Sequence, residues 1–290
     1  KSWANEESYY FDLGQMQLFV IPITTNLLTK TNSAIEKEFP FAIENHIPVL
    51  PLMMESGLET IYKNKIGDFQ FLNPNIIDET TQSFKEKFKK YLDSIIVGDE
   101  LAAKIREAFD AYIFLSYRKK DRKYAQQLMK LIHANSFCRD IAIWYDEYLV
   151  PGENFNDAIA GALEKSDLFA LMITPNLVNE PNYVMSVEYP KAKKVNKDIL
   201  PLEMVPTSQN AMNDKYEDIR PSVNAHNPSA LKKELLTAVK RLAIVSNNTD
   251  PRHIFFIGLA YLAGIDMEID YERAVTLITS AAKANLPEAI

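Results

Sequence analysis

Few side chains in this sequence have the types and spacing for chemistry. The single cysteine, Cys138, excludes an intramolecular disulfide and offers no thiolate zinc site. The histidines His46, His133, His226 and His253 are scattered without metal-ligand spacing, so no metal site is expected. No His/Asp/Ser constellation is visible. What remains is Ser116-Tyr117-Arg118, which closes an apolar run at residues 110–117 (DAYIFLSY). In open parallel sheets ligands sit beyond the C-terminal ends of the strands. An arginine there can contact phosphate, and Ser116 and Tyr117 can line a cleft. The plainer alternatives are a surface ion pair for Arg118 and strand-end packing for the other two.

The elements that must position these residues follow from an internal repeat. Leu18-Phe19, Ile23-Thr24, Asn26, Leu27, Asn32, Glu38, Pro40, Ala42, Leu50-Pro51-Leu52 and Met54 recur as Leu168-Phe169, Ile173-Thr174, Asn176, Leu177, Asn182, Glu188, Pro190, Ala192, Leu200-Pro201-Leu202 and Met204, always 150 residues later. One register held through two strands and the helix between them implies one shared local structure. The second copy reads as complete, with strands at 110–117, 141–144, 168–173 and 199–203 and a weak fifth at 216–223. Asp121 is expected to cap a helix carrying Tyr124, Ala125, Leu128, Met129 and Ile132, and Asn154 with Asp157 to open another. A helix is expected over 182–195, with Pro190 a kink or early stop, and a last one over 230–243. This alternation predicts an α/β domain with a parallel sheet covered on both faces, close to the flavodoxin-like arrangement.

The first copy begins late. It supplies strands at 18–23, 49–53 and near 69–72 and a closing helix at 84–96, but no counterpart of residues 116–118. It therefore reads as the C-terminal part of a domain over 1–97 and as non-catalytic. Residues 98–108 read as a connecting helix, 109–245 as the complete domain, and 246–290 as an α-helical segment.

Composition bounds the function. The chain is 47% hydrophobic and 24% charged, ordinary for a globular protein, with a net charge of −7 that argues against nucleic acid. No uninterrupted apolar stretch approaches the ~18 residues of a membrane span. A reducing, cytoplasmic setting fits the cysteine count.

Phe114-Leu115-Ser116-Tyr117-Arg118 with Asp121 resembles the first box of TIR domains. Trp144-Tyr145-Asp146, through Tyr148, Pro151 and Gly152 to Phe155, resembles the second box and its BB loop. Ser166-Asp167 and Asn176 resemble the central region, and Glu188 occupies the position of the family's glutamate. In relatives an aromatic residue stands four positions before that glutamate; here the position is Val184, with Tyr183 beside it. Residues 251–290, with Phe256-Ile257-Gly258-Leu259-Ala260-Tyr261, Gly264, Asp270, Ala274 and Ala281-Ala282, resemble a Sel1 repeat, a helix hairpin that stacks with further copies. Further repeats are expected to follow.

The TIR resemblance implies a flavodoxin-like fold and, as in many members, cleavage of the nicotinamide–ribose bond of NAD, the substrate, without a cofactor. That reaction builds positive charge on the ribose, which one carboxylate can stabilise. Nicotinamide leaves neutral, so no strong general acid is needed. Glu188 is the expected catalytic residue. Ser116, Tyr117, Arg118, Trp144, Asp146 and Tyr183 are the substrate-site candidates. Trp144 serves equally as core, and Asp146 as support for a BB loop containing Tyr148, Pro151 and Gly152. The resemblance further implies self-association through TIR domains, a protein partner for the Sel1-like hairpin, and an assembly-activated role in bacterial defence or stress signalling. The alternative is a TIR/Sel1 interaction scaffold without turnover.

Overall fold

The computed structural model describes residues 12–75, 84–109, 111–146, 152, 154–216, 218–242 and 250–290. The chain divides into two compact units. Unit 1 comprises Lys1–Ile96 with Leu149–Ile159, and unit 2 comprises Val97–Tyr148 with Ala160–Ile290.

Unit 2 is built on a five-stranded sheet. Its strands are β3 (Tyr112–Ser116), β4 (Ala142–Trp144), β5 (Leu168–Ile173), β6 (Asp198–Glu203) and β7 (Val223–Asn224); unit 1 holds β1 (Phe19–Ile23) and β2 (Val49–Met53). The order in space is β4-β3-β5-β6-β7, all parallel. This is the flavodoxin-like order, with the chain reversing direction across the sheet beside β3. Every residue of the central strand β5, LFALMI, is buried, as expected for a parallel strand covered on both faces. On one face Ile113, Leu115, Ala170, Met172, Leu200 and Leu202 pack with Ala125, Leu128, Met129 and Ile132 of helix Arg122–His133 and Leu231, Leu235 and Ala238 of helix Pro228–Leu242. Strand alternation turns Phe114 and Ser116 to the opposite face, where Trp144 and Phe169 stack on either side of Phe114 at 4.8 and 5.5 Å.

The fifth strand is shorter than residues 216–223. It is the pair Val223–Asn224, and Tyr216 lies fully buried outside it, its hydroxyl donating to the Leu177 carbonyl at 3.0 Å. A buried phenol needs an acceptor, and the Leu177 carbonyl supplies one away from the strand ladder.

The two sequence repeats have one local structure. β1 pairs with β2 in the register Phe19↔Val49, and β5 with β6 in the register Phe169↔Ile199. After each first strand comes a five-residue helix, Thr25–Thr29 or Pro175–Asn179, then a wide π-type turn, Ala34–Glu38 or Val184–Glu188, then a second helix, Phe39–Glu44 or Tyr189–Lys194. Asn32 and Asn182 hold equivalent turns, each side-chain amide donating to two carbonyls, Leu27 and Lys30 or Leu177 and Glu180. Both repeats end in a left-handed residue, His46 at φ 54° and Asn196 at φ 53°. In unit 1, residues 69–72 form only isolated bridges, Leu52 with Leu72 and Phe69 with Asn154.

Pro190 does not end its helix. The chain stays helical from Val184 to Lys194, with the proline in the first turn after the wide one. In a regular α-helix the proline ring meets the carbonyl four residues back; a widened turn just before it relieves that clash. Pro40 stands at the same place after the wide turn of unit 1.

The helix Phe84–Glu107 breaks at Gly98, at φ 71° and ψ 156°. Past the break, Ile105 packs with Ile257, Ala260, Tyr261, Met267 and Ala274 of a helical hairpin, Pro251–Ala263 and Tyr271–Lys283. Asp250 and Asp270 cap its two helices, and Gly264 ends the first one left-handed at φ 70°, as glycine alone readily does. Buried Asp266 accepts from Arg106 Nε at 2.9 Å and from the Tyr112 hydroxyl, and its carbonyl takes the Ile143 N–H at 3.1 Å. Tyr261 and Arg273 bond Asp140 at 3.0 and 2.7 Å. The hairpin thus belongs to the same compact unit as the sheet. Among the described residues no helix is long and apolar enough to cross a membrane.

Candidate functional site

Ser116 is the last residue of β3, fully buried, on the face of the sheet shared with Phe114. Glu188 is the last residue of the wide turn after β5. The two meet across 72 positions of sequence: Ser116 Oγ donates to Glu188 Oε2 at 2.5 Å. A regular α-helix continuing from Asn182 would present position 188 on a different bearing, so the wide turn and Pro190 together aim this carboxyl. Tyr117, next after Ser116, donates its hydroxyl to Asp146, just past β4.

Glu188 is only 8% exposed. Burial pushes its pKa from 4.5 up to about 8; the hydroxyl of Ser116 opposes the rise and the charge of Asp146 adds to it. At neutral pH the carboxyl is therefore largely neutral, held beside a serine and a second acidic group.

Arg118 lies at the site's flank but is turned to other partners. Its guanidinium binds Glu180 Oε2 at 2.5 Å and the carbonyls of Asn176 and Glu180 at 2.9 and 3.4 Å, and Lys120 shares Glu180 at 3.1 Å. Trp144 is buried against Phe114, inside the aromatic stack. Tyr183 is half-buried at the start of the wide turn, and Val184 behind it is buried. The pair Ser116–Glu188 thus gathers Tyr117 and Asp146 around it, while Arg118 is engaged with Glu180 and Trp144 with the core. Gly152 belongs to unit 1. Tyr148 and Pro151 lie outside the described residues.

Asp121 does not cap its helix. It is buried and accepts from Thr174 Oγ1 at 2.5 Å and Asn176 Nδ2 at 2.7 Å. A buried carboxylate needs donors, and two from the loop after β5 outcompete a helix N–H in reach. The bond fixes Asn176, whose carbonyl holds Arg118, so Asp121 ties the loops after β3 and β5 into one frame. The sequence points to Asp121 as a helix cap and as part of the first TIR-like box, not as a tie to the segment after β5. The sign of its other role is Thr174-x-Asn176, whose repeat counterparts Thr24 and Asn26 lie on the same offset.

Among the described residues no group of three or more His, Cys, Asp or Glu side chains is placed to hold a metal. Cys138 is buried, and burial pushes its thiol up to about 12, which leaves it inert as a nucleophile. The chemistry available here is that of one carboxyl with a hydroxyl partner.

Residues 113–236 match the family model of the TIR domain. The matched segment runs from β3 through β7 into helix Pro228–Leu242, and both Ser116 and Glu188 fall inside it. No curated protein and no solved structure matches the chain.

Proposed function

We propose that unit 2 is an NAD glycohydrolase, cleaving the nicotinamide–ribose bond with Glu188 as the catalytic carboxylate and Ser116 holding it. The observation that carries this reading is the buried hydrogen bond between Ser116 and Glu188 at the C-terminal end of β3, where ligands of open parallel sheets sit. In the reaction the C–N bond breaks with its electron pair going to nicotinamide, and water adds to the ribose carbon to give ADP-ribose and a proton. NAD brings a positively charged pyridinium ring. That charge favours ionised Glu188 and so opposes the effect of burial. As the bond breaks, the charge passes to the ribose, and a fixed carboxylate in a dry site stabilises it. Ser116 orients the oxygen it bonds. Tyr117, Arg118, Asp146 and Tyr183 are the substrate-side groups of this proposal; Arg118 would exchange its Glu180 partner for phosphate.

The TIR domain is also proposed to self-associate, and assembly to activate it in a defence or stress-signalling role. Residues 1–97 are proposed as a partial TIR-like copy. The hairpin is proposed as a Sel1-like unit taking a protein partner. A scaffold without turnover is the second reading. It is favoured by two observations: Arg118 is already satisfied by Glu180 and two carbonyls, and Val184 offers no ring four positions before Glu188. Incubating the full chain with NAD and assaying free nicotinamide separates them. Release of nicotinamide with matching ADP-ribose is expected; none at any protein concentration, assembled or not, would leave the scaffold.

A further inference from the structure

Arg118, two residues past Ser116, is held in two different ways, both within unit 2. Its side chain is only 13% exposed. Nη1 donates to the carbonyls of Asn176 and Glu180 at 2.9 and 3.4 Å. Both residues are fixed by other bonds: the Asn176 amide donates to Asp121 at 2.7 Å, and the Glu180 carbonyl also accepts from Asn182 Nδ2 at 3.0 Å. The main chain therefore orients the guanidinium whatever occupies Nη2. Nη2 is bonded to Glu180 Oε2 at 2.5 Å, and Lys120 Nζ meets the same oxygen at 3.1 Å. This second hold is different in kind. The Glu180 side chain is 56% exposed and that of Lys120 62%, and an ion pair so exposed is weakly held and readily exchanged. The turn itself does not need a carboxylate. In the repeat of unit 1 the equivalent position is Lys30, whose carbonyl accepts from Asn32 at 2.7 Å just as that of Glu180 does from Asn182. Glutamate stands at this bend in the copy that has an arginine and a lysine to meet it.

We propose that Glu180 is a built-in competitor for a phosphate group of the substrate: its carboxylate fills an anion subsite made by Arg118 and Lys120 until a phosphate displaces it. The inference rests on the NAD reading, whose substrate carries a pyrophosphate. A phosphate presents two oxygens to a guanidinium in the same fork as a carboxylate. Displacement exchanges one anion for another while Nη1 stays on its two carbonyls, so the cation meets the substrate already oriented. The effect falls on affinity. While Glu180 holds Arg118 the subsite is closed, and apparent affinity is reduced to the fraction of time that it is open. Glu180 thus sets how much substrate is needed and takes no part in bond breaking.

Calorimetric titration of the full chain with inorganic pyrophosphate tests the competition. Glu180→Gln, which keeps the size and drops the charge, should bind the probe about 5-fold more tightly than wild type. With Arg118→Gln also present the gain should vanish, because a competitor matters only while its cation is there. Equal affinity in wild type and Glu180→Gln would overturn the proposal. So would a gain that persists without Arg118, the mark of a general change in net charge, and so would a failure of every variant to bind pyrophosphate. Nicotinamide release then reads the same effect on substrate: Glu180→Gln should lower KM for NAD about 5-fold, with most of the gain in KM rather than kcat. A fall in kcat with KM unchanged would overturn the competition. Absence of turnover in every variant would overturn the NAD reading and leave the pyrophosphate result standing.

Discussion

The two repeats place a glutamate at the same bend of the same backbone and give it opposite surroundings. Glu38 ends the wide turn of unit 1, half-buried, and its partner is Ser33 of that same turn at 3.0 Å. Glu188 ends the wide turn of unit 2, buried, and its partner is Ser116 of a different strand. The Asn-held turn, the π-type bend and the following proline are common to both. The backbone device therefore places a glutamate at the same bend in both repeats. At position 188 the carboxyl is buried and a neighbouring strand brings a hydroxyl to meet it. The threonines show the same division. Thr24 caps its own helix, accepting from the Leu27 N–H at 3.2 Å, whereas the Thr174 hydroxyl is drawn to Asp121.

This contrast is sharpened first by pH. Folded Glu188 keeps its proton up to about 8, against 4.5 when unfolded, so between those values the folded chain binds more protons than the unfolded one. Its stabilising contribution is present below 4.5 and is lost as pH rises through 8, by on the order of 4 kcal/mol for a shift of that size. Thermal melts should show wild type losing ground to Glu188→Gln from pH 5 to pH 9. Parallel pH profiles for the two proteins would contradict the burial argument.

A smaller effect is expected at Asp121. Asp121→Ala leaves the buried Thr174 hydroxyl and the Asn176 amide without their acceptor and should destabilise the chain by about 1–3 kcal/mol. Denaturant unfolding measures it, and a loss under about 0.5 kcal/mol would mean the two loops are held without this carboxylate.

The smallest effect probes what the repeats share. Asn32→Ala and Asn182→Ala each remove an amide that bonds two carbonyls and should cost about 1–2 kcal/mol apiece, each within its own unit. Segment-resolved hydrogen exchange locates the loss. An effect confined to one repeat would break the equivalence of the two turns.

Much of this was legible in the sequence because it is local or periodic. The constant offset between repeats pointed to equivalent strands and helices, and the apolar runs at 110–117 and 168–173 marked strands. The order of the TIR-like motifs offered Glu188 and Ser116 as candidates for one site. Other features were not legible because they depend on partners distant in sequence. The burial of Glu188 depends on packing around the wide turn, which its local sequence, VMSVE, does not announce. Asp121 has the pattern of a cap, and only the fold brings Thr174 and Asn176 to it. Tyr216 has the composition of a strand, yet its hydroxyl is claimed by Leu177. Gly152 reads as a loop glycine; that its close neighbour is Val49, about a hundred residues away, is a tertiary fact.

The central claim is that Glu188, and not its repeat counterpart, performs the chemistry. Nicotinamide release from NAD by wild type, Glu188→Gln and Glu38→Gln, each as the full chain with matched folding, tests it most directly. Gln keeps the size and the hydrogen bond from Ser116 but cannot carry the negative charge. Glu188→Gln should lose a hundredfold or more in turnover, the equivalent of about 3 kcal/mol of electrostatic stabilisation, and Glu38→Gln should stay within about 2-fold of wild type. Turnover by Glu188→Gln equal to that of wild type would contradict the account.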